Sequence, residues 1–296
     1  MLLDRLKSLI QEPPPGMAFE ISAGGVAAAR IGARTELEFQ PLKEGTLEIS
    51  PVKENVVDPE AFAEAVQSLA RSGTGRKAKD VALILPDYST RLAVLDFDSF
   101  PSDPADQASL VRFRLKRGVP FDVESAVVSY FAQSSGRKKI EVVVAMAPLE
   151  IVARYEAPFR AAGMNPGLVT TSSLAALELA PETGLSVMAK LAGSVLTVPV
   201  RDKGHLRLVR CLEVPSNSLD DIAEVLLQTM VYIEDNLGGR PEKLMLCGFG
   251  ESTAEAVERF REELGVEVEP LHSPLGVPGP HNAGLLGYLR SVARNN

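Results

Sequence analysis

The chain has 296 residues, of which 45% are hydrophobic and 24% charged, and its formal net charge is −8. This composition is typical of a globular protein with one large or two smaller domains, and the negative charge argues against broad binding to nucleic acids. The sequence contains no CxxC pair, no histidine cluster and no run of 18 apolar residues, so it shows neither a metal site nor a transmembrane helix.

The first 16 residues differ from the rest of the chain. Residues 11–16 (QEPPPG) form a semi-rigid spacer. The preceding segment is too short and too charged for a signal peptide, and it predicts a small amphipathic helix. We expect this helix either to pack on its own domain or to contact a membrane surface or a partner. Its apolar side consists of Leu2, Leu3, Leu6 and Ile10.

Residues 17–50 read as a meander of three strands, with turns at 23–25 and 32–34. A helix begins at Asp58 and Pro59, because an N-cap residue followed by proline is typical of a first turn. The unbroken apolar run VALILP at 81–86 predicts a fully buried strand.

Residues 88–160 form a separate block with the order strand, helix, strand, strand, helix. Its first helix opens at Ser102, Asp103 and Pro104, its two later strands form a hairpin around 134–137, and its last helix runs from about 149 to 162. We therefore expect a small α+β unit inserted into the first half of the chain.

The opening pattern returns after a linker at 181–184. Three strands are followed by a long helix capped by Ser218, a buried strand (KLMLCGFG) that ends in a glycine turn, a helix with a capping-box pattern at 252–255, a short strand and a closing helix. Two halves with one plan predict a duplicated pair of α/β domains.

Two stretches make a more specific match. LDFDSFPSDPADQASLVRFRLKRGVPFDVESAVVSYF (95–131) and APLEIVARYEAPFRAAGMNPGLVTTSSLA (147–175) resemble the inserted subdomain, and the return from it, in the PilM family of type IV pilus assembly proteins, which is related to the cell-division protein FtsA. The resemblance spans nearly the whole chain. It implies an α/β, actin-like (ribonuclease H-like) two-domain fold with an inserted α+β subdomain at about 88–160. The first domain would comprise residues 17–183 and the second 184–296.

Proteins of this kind clamp ATP between their two domains, and the resemblance places the first ATP-contacting hairpin at Glu20, Ser22, Gly24 and Gly25. The lysine expected in the second strand is replaced by Ala27. The hairpin therefore keeps its tight turn but lacks part of the charge that holds phosphate.

The second hairpin should carry Asp-x-Gly followed by a hydroxyl residue, but the matching positions are Lys190, Gly193 and Ser194. An ammonium in place of a carboxylate reverses the local charge and should repel Mg²⁺. The third element, the turn beside the adenosine, survives as Gly248, Phe249 and Gly250.

We therefore expect no catalytic residue, no metal and no ATP hydrolysis, and ATP is the one cofactor that the resemblance implies. The resemblance implies a cytoplasmic scaffold, peripheral to the inner membrane. It would bind the N-terminal cytoplasmic segment of a PilN-like membrane pilus protein in a groove near residues 92–130 and self-associate through the insert. The alternatives are an ATP-binding pilus assembly ATPase, a kinase of the same superfamily, or the cytoplasmic half of a type II secretion protein. The last is disfavoured because the sequence shows no membrane helix after Asn296.

A run of basic residues lies near the end of the insert's first helix, at Arg112, Arg114, Lys116 and Arg117. Basic residues at this end complement the helix dipole, so they favour a solvated surface. The alternative is a docking face for an acidic or juxtamembrane peptide.

Overall fold

The computed structural model describes residues 14–32, 35–71, 80–133, 139–214 and 216–295. The predicted N-terminal helix and the hairpin tip at 134–137 lie outside these residues. The first half begins with β1 (Met17–Ser22), β2 (Gly25–Arg30), β3 (Glu36–Pro41), α1 (Pro59–Arg71) and β4 (Asp80–Leu85). An insert follows, with β5 (Arg91–Phe97), α2 (Pro104–Leu115), β6 (Ala126–Gln133) and β7 (Ile140–Pro148). The first half is completed by α3 (Leu149–Ala161), β8 (Asn165–Thr171) and α4 (Ser172–Ala176).

The second half consists of β9 (Leu185–Ala192), β10 (Val195–Asp202), β11 (His205–Glu213), α5 (Leu219–Leu237), β12 (Lys243–Cys247), α6 (Thr253–Leu264) and β13 (Glu267–Pro270), and the closing helix is α7 (Ala283–Asn295). None of the helices in these described ranges is long and apolar enough to cross a membrane.

The two halves share one sheet topology. The first sheet has the order β3-β2-β1-β4-β8 and the second the order β11-β10-β9-β12-β13. In each sheet three strands form an antiparallel meander and two further strands add in parallel. The predicted repeat of one α/β plan is therefore present in the strand order itself.

Local sequence signals explain several helix starts. The Asp103 side chain accepts hydrogen bonds from the backbone N–H groups of Ala105 and Asp106 at 2.9 and 3.1 Å, and Ser218 accepts one from Asp221 at 3.1 Å. The capping box predicted at Ser252 is wrong. A single 3₁₀ turn at Gly250–Ser252 precedes α6, and the Ser252 side chain makes no capping hydrogen bond.

The helix predicted as the last element of the insert packs elsewhere. The buried side chains of α3 lie in the core of the first half, where the rings of Phe159 and Phe19 stand edge to face at 4.9 Å and Tyr155 contacts Phe62. An amphipathic stripe shows that a helix is covered but not by which sheet. By packing, the insert ends at Pro148 rather than near residue 160.

The insert is a sheet with the order β5-β7-β6, and it connects the first half to the second. One face of this sheet packs on α2. The other side reaches β11, where Arg207 forms a buried ion pair with Glu141 of β7. The Gln133 side chain also bonds both backbone groups of Leu206, at 2.8 and 2.9 Å. These contacts hold the insert against the second half.

The closing helix α7 returns from the second half to pack on α4 of the first. Its glycines allow this approach, because a Cβ added at Gly287 would lie 2.0 Å from the Ala175 carbonyl oxygen. A Cβ at Gly284 would lie 2.8 Å from Ile84. The two helices therefore meet through backbone rather than through side chains.

We predict that Gly287→Ala destabilises the protein by about 1–3 kcal/mol, because the added methyl group overpacks the contact with α4. At an unconstrained helix position the same change stabilises by up to about 1 kcal/mol, so the sign itself is diagnostic. Urea denaturation measures the difference. The control is Gly118→Ala, where the nearest atom to an added Cβ is 3.6 Å away. A stabilised Gly287→Ala variant would contradict the close packing.

Candidate functional site

A cleft lies between the two halves, where the turns of the β1–β2 and β9–β10 hairpins approach each other. Its cavity volume is about 380 Å³. Five of the ten residues predicted as the nucleotide site line it, namely Glu20, Ser22, Gly24, Lys190 and Gly193. The structure adds polar and aromatic side chains that the sequence analysis did not select: Asp87, Tyr88, Ser172 and His281.

Glu20 and Lys190 occupy equivalent positions in the two halves. Each lies two residues before the last paired residue of its strand, which is Ser22 in the first hairpin and Ala192 in the second. Each also pairs with the parallel strand that follows, at Ile84 and Cys247 respectively. The two halves therefore bring a carboxylate and an ammonium to the same cleft.

Lys190 forms a buried ion pair with Asp87, which lies in the turn after β4. The distance from Nζ to Oδ2 is 3.2 Å, and the two side chains are only 2% and 3% exposed. Burial alone would lower the pKa of Lys190, but the charges of Asp87 and Glu20 outweigh that effect and raise it. The side chain is therefore an ammonium that joins the second half to the first.

The Glu20 carboxylate accepts two hydrogen bonds, one from the first half and one from α7. Ser172 at the start of α4 donates its hydroxyl to Oε1, and the Leu285 backbone N–H in the first turn of α7 donates to Oε2 at 2.7 Å. Burial raises the pKa of Glu20, against the lowering effects of Lys190 and of these hydrogen bonds. Both oxygens already have partners within the protein.

Asp87 is similarly saturated. Its Oδ1 accepts the backbone N–H of Ser173 at 2.7 Å, while Oδ2 binds Lys190. Across the ranges that the structure describes, no group of three or more His, Cys, Asp or Glu side chains is placed to hold a metal ion. The cation among these carboxylates is the lysine itself.

The turn of the first hairpin is covered by His281. Its Nδ1 lies 2.8 Å from the Ser22 hydroxyl oxygen, and that hydroxyl donates its proton to the Gly25 carbonyl at 2.9 Å. The imidazole stacks on Phe39 and lies so close to Gly24 that an added Cβ would be 2.7 Å from Cε1. Burial and the nearby Lys190 lower the pKa of His281, which favours the neutral ring.

The other predicted site residues lie outside the cleft lining. Gly25 is packed under Phe39, and the Ser194 carbonyl accepts the Val214 N–H at 2.7 Å. An added Cβ at Gly248 would be 1.9 Å from the Leu191 carbonyl, so this glycine accommodates the protein's own backbone. Phe249 is buried against Phe260, and Gly250 has φ +55° in the following turn. That this turn faces a nucleotide stays a prediction.

The residues missed by the sequence analysis are of two kinds. Asp87 lies two residues after the end of β4, and a carboxylate just beyond the carboxyl end of a buried parallel strand is a recognisable signal. Ser172 and Ser173 at the start of α4 and His281 carry no such local signal, because their partners are distant in sequence.

Comparisons with solved structures bear on the fold. The structure described as "PilM-PilN type IV pilus biogenesis complex" is similar with a TM-score of 0.76 and 20% identity, over 95% of this chain and 99% of that one. An actin-like ATPase-fold protein of unknown function from Bacteroides thetaiotaomicron gives a TM-score of 0.53 and 11% identity, over 86% and 89%. The cytoplasmic domain of EpsL, an inner-membrane component of the type II secretion system of Vibrio cholerae, gives 0.53 and 15%, over 95% and 94%.

These likenesses confirm the predicted actin-like fold and the fold resemblance to PilM. Neither a protein-family model nor a curated protein sequence matches the chain.

We predict that Lys190→Met destabilises the protein by about 3–5 kcal/mol, because it leaves Asp87 and Glu20 buried without a cation. Adding Asp87→Asn should recover much of the loss, and urea denaturation of the single and double variants measures the coupling. The control is Lys243→Met, which removes a surface ion pair with Glu269 and should change stability little. Equal losses for the two lysine variants would show that Lys190 does not hold the halves together.

Proposed function

We propose that the protein is a cytoplasmic, actin-like scaffold of the type IV pilus assembly platform. It binds the cytoplasmic N-terminal segment of a PilN-like inner-membrane protein and does not hydrolyse ATP. The proposal is supported by the shared fold with a chain of a PilM–PilN complex and by the chemistry of the cleft. Self-association through the insert is part of the same proposal and rests on the family resemblance alone.

One observation carries the proposal, which is the Lys190–Asp87 ion pair at the floor of the cleft. Phosphoryl transfer from ATP relies on a divalent cation to neutralise the charge that develops on the phosphates. Here an ammonium is ion-paired with Asp87, one of the carboxylates that could have organised such an ion, and its charge also acts on the other, Glu20. With the lobes joined by this ion pair, the protein can act by binding other proteins through its surface.

The outer edge of β6 is the surface that best suits an extended peptide. β6 pairs with β7 on one side only, and no strand of the described residues covers its other edge. Val127 and Phe131 point to one face of it and are 41% and 59% exposed. Leu149, whose N–H bonds the Ser125 carbonyl at the junction with the first half, is 58% exposed. Free backbone groups beside apolar side chains are what strand addition requires.

The first test concerns the cation. Calorimetric titration with ATP should show no Mg²⁺-dependent binding to the wild type. Lys190→Asp, which places a third carboxylate beside Glu20 and Asp87, should instead show a melting temperature that rises with Mg²⁺ or Mn²⁺. Lys190→Asn is the matched control and should not respond. Metal-dependent ATP binding by the wild type would overturn the proposal in favour of the ATPase alternative.

The second test concerns the partner. A fluorescein-labelled peptide with the cytoplasmic N-terminal segment of a PilN-like membrane protein from the same organism should bind the wild type, as measured by anisotropy. Phe131→Asp and Val127→Asp should each weaken binding by about tenfold or more, because a charge replaces an apolar contact. Leu227→Asp on α5, a similarly exposed side chain of the second half, should bind normally. Unchanged binding by both β6 variants would exclude this surface.

A further inference from the structure

The C-terminal end of α2 carries an unusual exposed aromatic ring. Phe113 is 74% exposed, more than any other aromatic side chain in the described ranges. Lys116 and Arg117 follow it in the C-cap and the turn that end α2, and both are exposed. Arg114 lies beside them, with its guanidinium 5.2 Å above the Phe97 ring. We call Phe113, Arg114, Lys116 and Arg117 the α2 patch.

The charge of the α2 patch is uncompensated locally. The sequence has no acidic residue from Gln107 to Phe121, and no carboxylate of the described residues forms an ion pair with Lys116 or Arg117. The neighbouring Arg112 is not part of the patch. Its guanidinium donates to the Val123 and Ala126 carbonyls and fixes the loop that follows α2. The patch therefore sits on a rigid base, and its cations point to solvent.

The shape of the α2 patch separates two kinds of partner. The β6 edge offers a peptide free backbone groups, whereas the α2 patch lies at a helix end without a free strand edge, and its ring is three-quarters exposed. An exposed aromatic ring beside several cations suits a bilayer surface, because the ring can enter the headgroup region while the cations bind lipid phosphates. We infer that the α2 patch binds the surface of an anionic phospholipid bilayer.

The charge of the whole chain makes this contact directional. With a net charge of −8, the chain as a whole is repelled by anionic lipid, so a contact through a basic patch favours one orientation at the membrane. Each cation near such a surface strengthens binding by about fivefold, and a single ring adds a modest further factor. The contact alone is weak, and it becomes effective together with a second attachment.

Flotation of the full chain with vesicles tests the inference. The wild type should float with phosphatidylglycerol–phosphatidylethanolamine vesicles at low salt, not with phosphatidylcholine vesicles, and should be released at high salt. Lys116→Glu/Arg117→Glu should reduce the bound fraction more than tenfold, and Phe113→Ser several-fold. Lys43→Glu/Lys53→Glu, which changes the net charge equally at another exposed site, and Leu227→Ser, which removes another exposed apolar side chain, should bind like the wild type. Circular dichroism checks that each variant is folded.

Three outcomes would overturn the inference. The first is equal binding of wild type to anionic and neutral vesicles, and the second is binding that the patch variants retain. The third is binding of a soluble hexaglutamate peptide through the patch without vesicle binding, which would assign the patch to an acidic protein partner. No pilus peptide is present in this assay, so its result is independent of the proposed scaffold function.

Discussion

The structure depends on one buried ion pair between its halves, the contact of Lys190 with Asp87. Both side chains are almost fully removed from water, so neither charge is tolerable without the other. Glu20 completes the cluster, and its oxygens are bound by Ser172 and by the first turn of α7. Strands from both halves, the return helix α4 and the closing helix thus meet at three charged side chains. Opening the cleft would separate Lys190 from Asp87, so this ion pair favours the closed arrangement.

The duplication explains how such a cluster can arise. Each half presents the residue two positions before the end of its first hairpin strand to the same cleft. Two carboxylates at these positions would repel each other and require a mobile cation, whereas the Lys190 ammonium lowers the electrostatic cost of keeping Glu20 charged. The second contact between the halves, from the insert to β11, uses the same principle with Glu141 and Arg207. Both contacts fix the relative position of the lobes by covalently attached charges.

The sequence was most informative where structure is decided locally. Hairpin turns, the apolar strand β4 and the helix starts at Asp103 and Ser218 follow from nearest-neighbour chemistry, and the fold class followed from a resemblance carried by the insert. Packing partners were harder, as α3 shows, because its apolar stripe fits either of two sheets. Only part of the site could be predicted from the sequence. Lys190 was identified from a departure from a motif, but its partner Asp87 is 103 residues away, and His281 is 259 residues from Ser22. Such pairings exist only after the chain has folded.

A closed cleft changes what can regulate a protein of this fold. Where a bound metal and nucleotide hold two lobes together, their loss can open the molecule, and surfaces can be switched by ligand exchange. A ligand shifts a conformational equilibrium only by its differential affinity for the two states, and under the proposed function no metal supplies that difference. Under the proposed function, the free edge of β6 is then presented continuously. Partner binding by the scaffold is then regulated by the concentration of its partners and by the location of the molecule in the cell. The α2 patch fits this kind of regulation, because a contact with the membrane would set the location of the molecule.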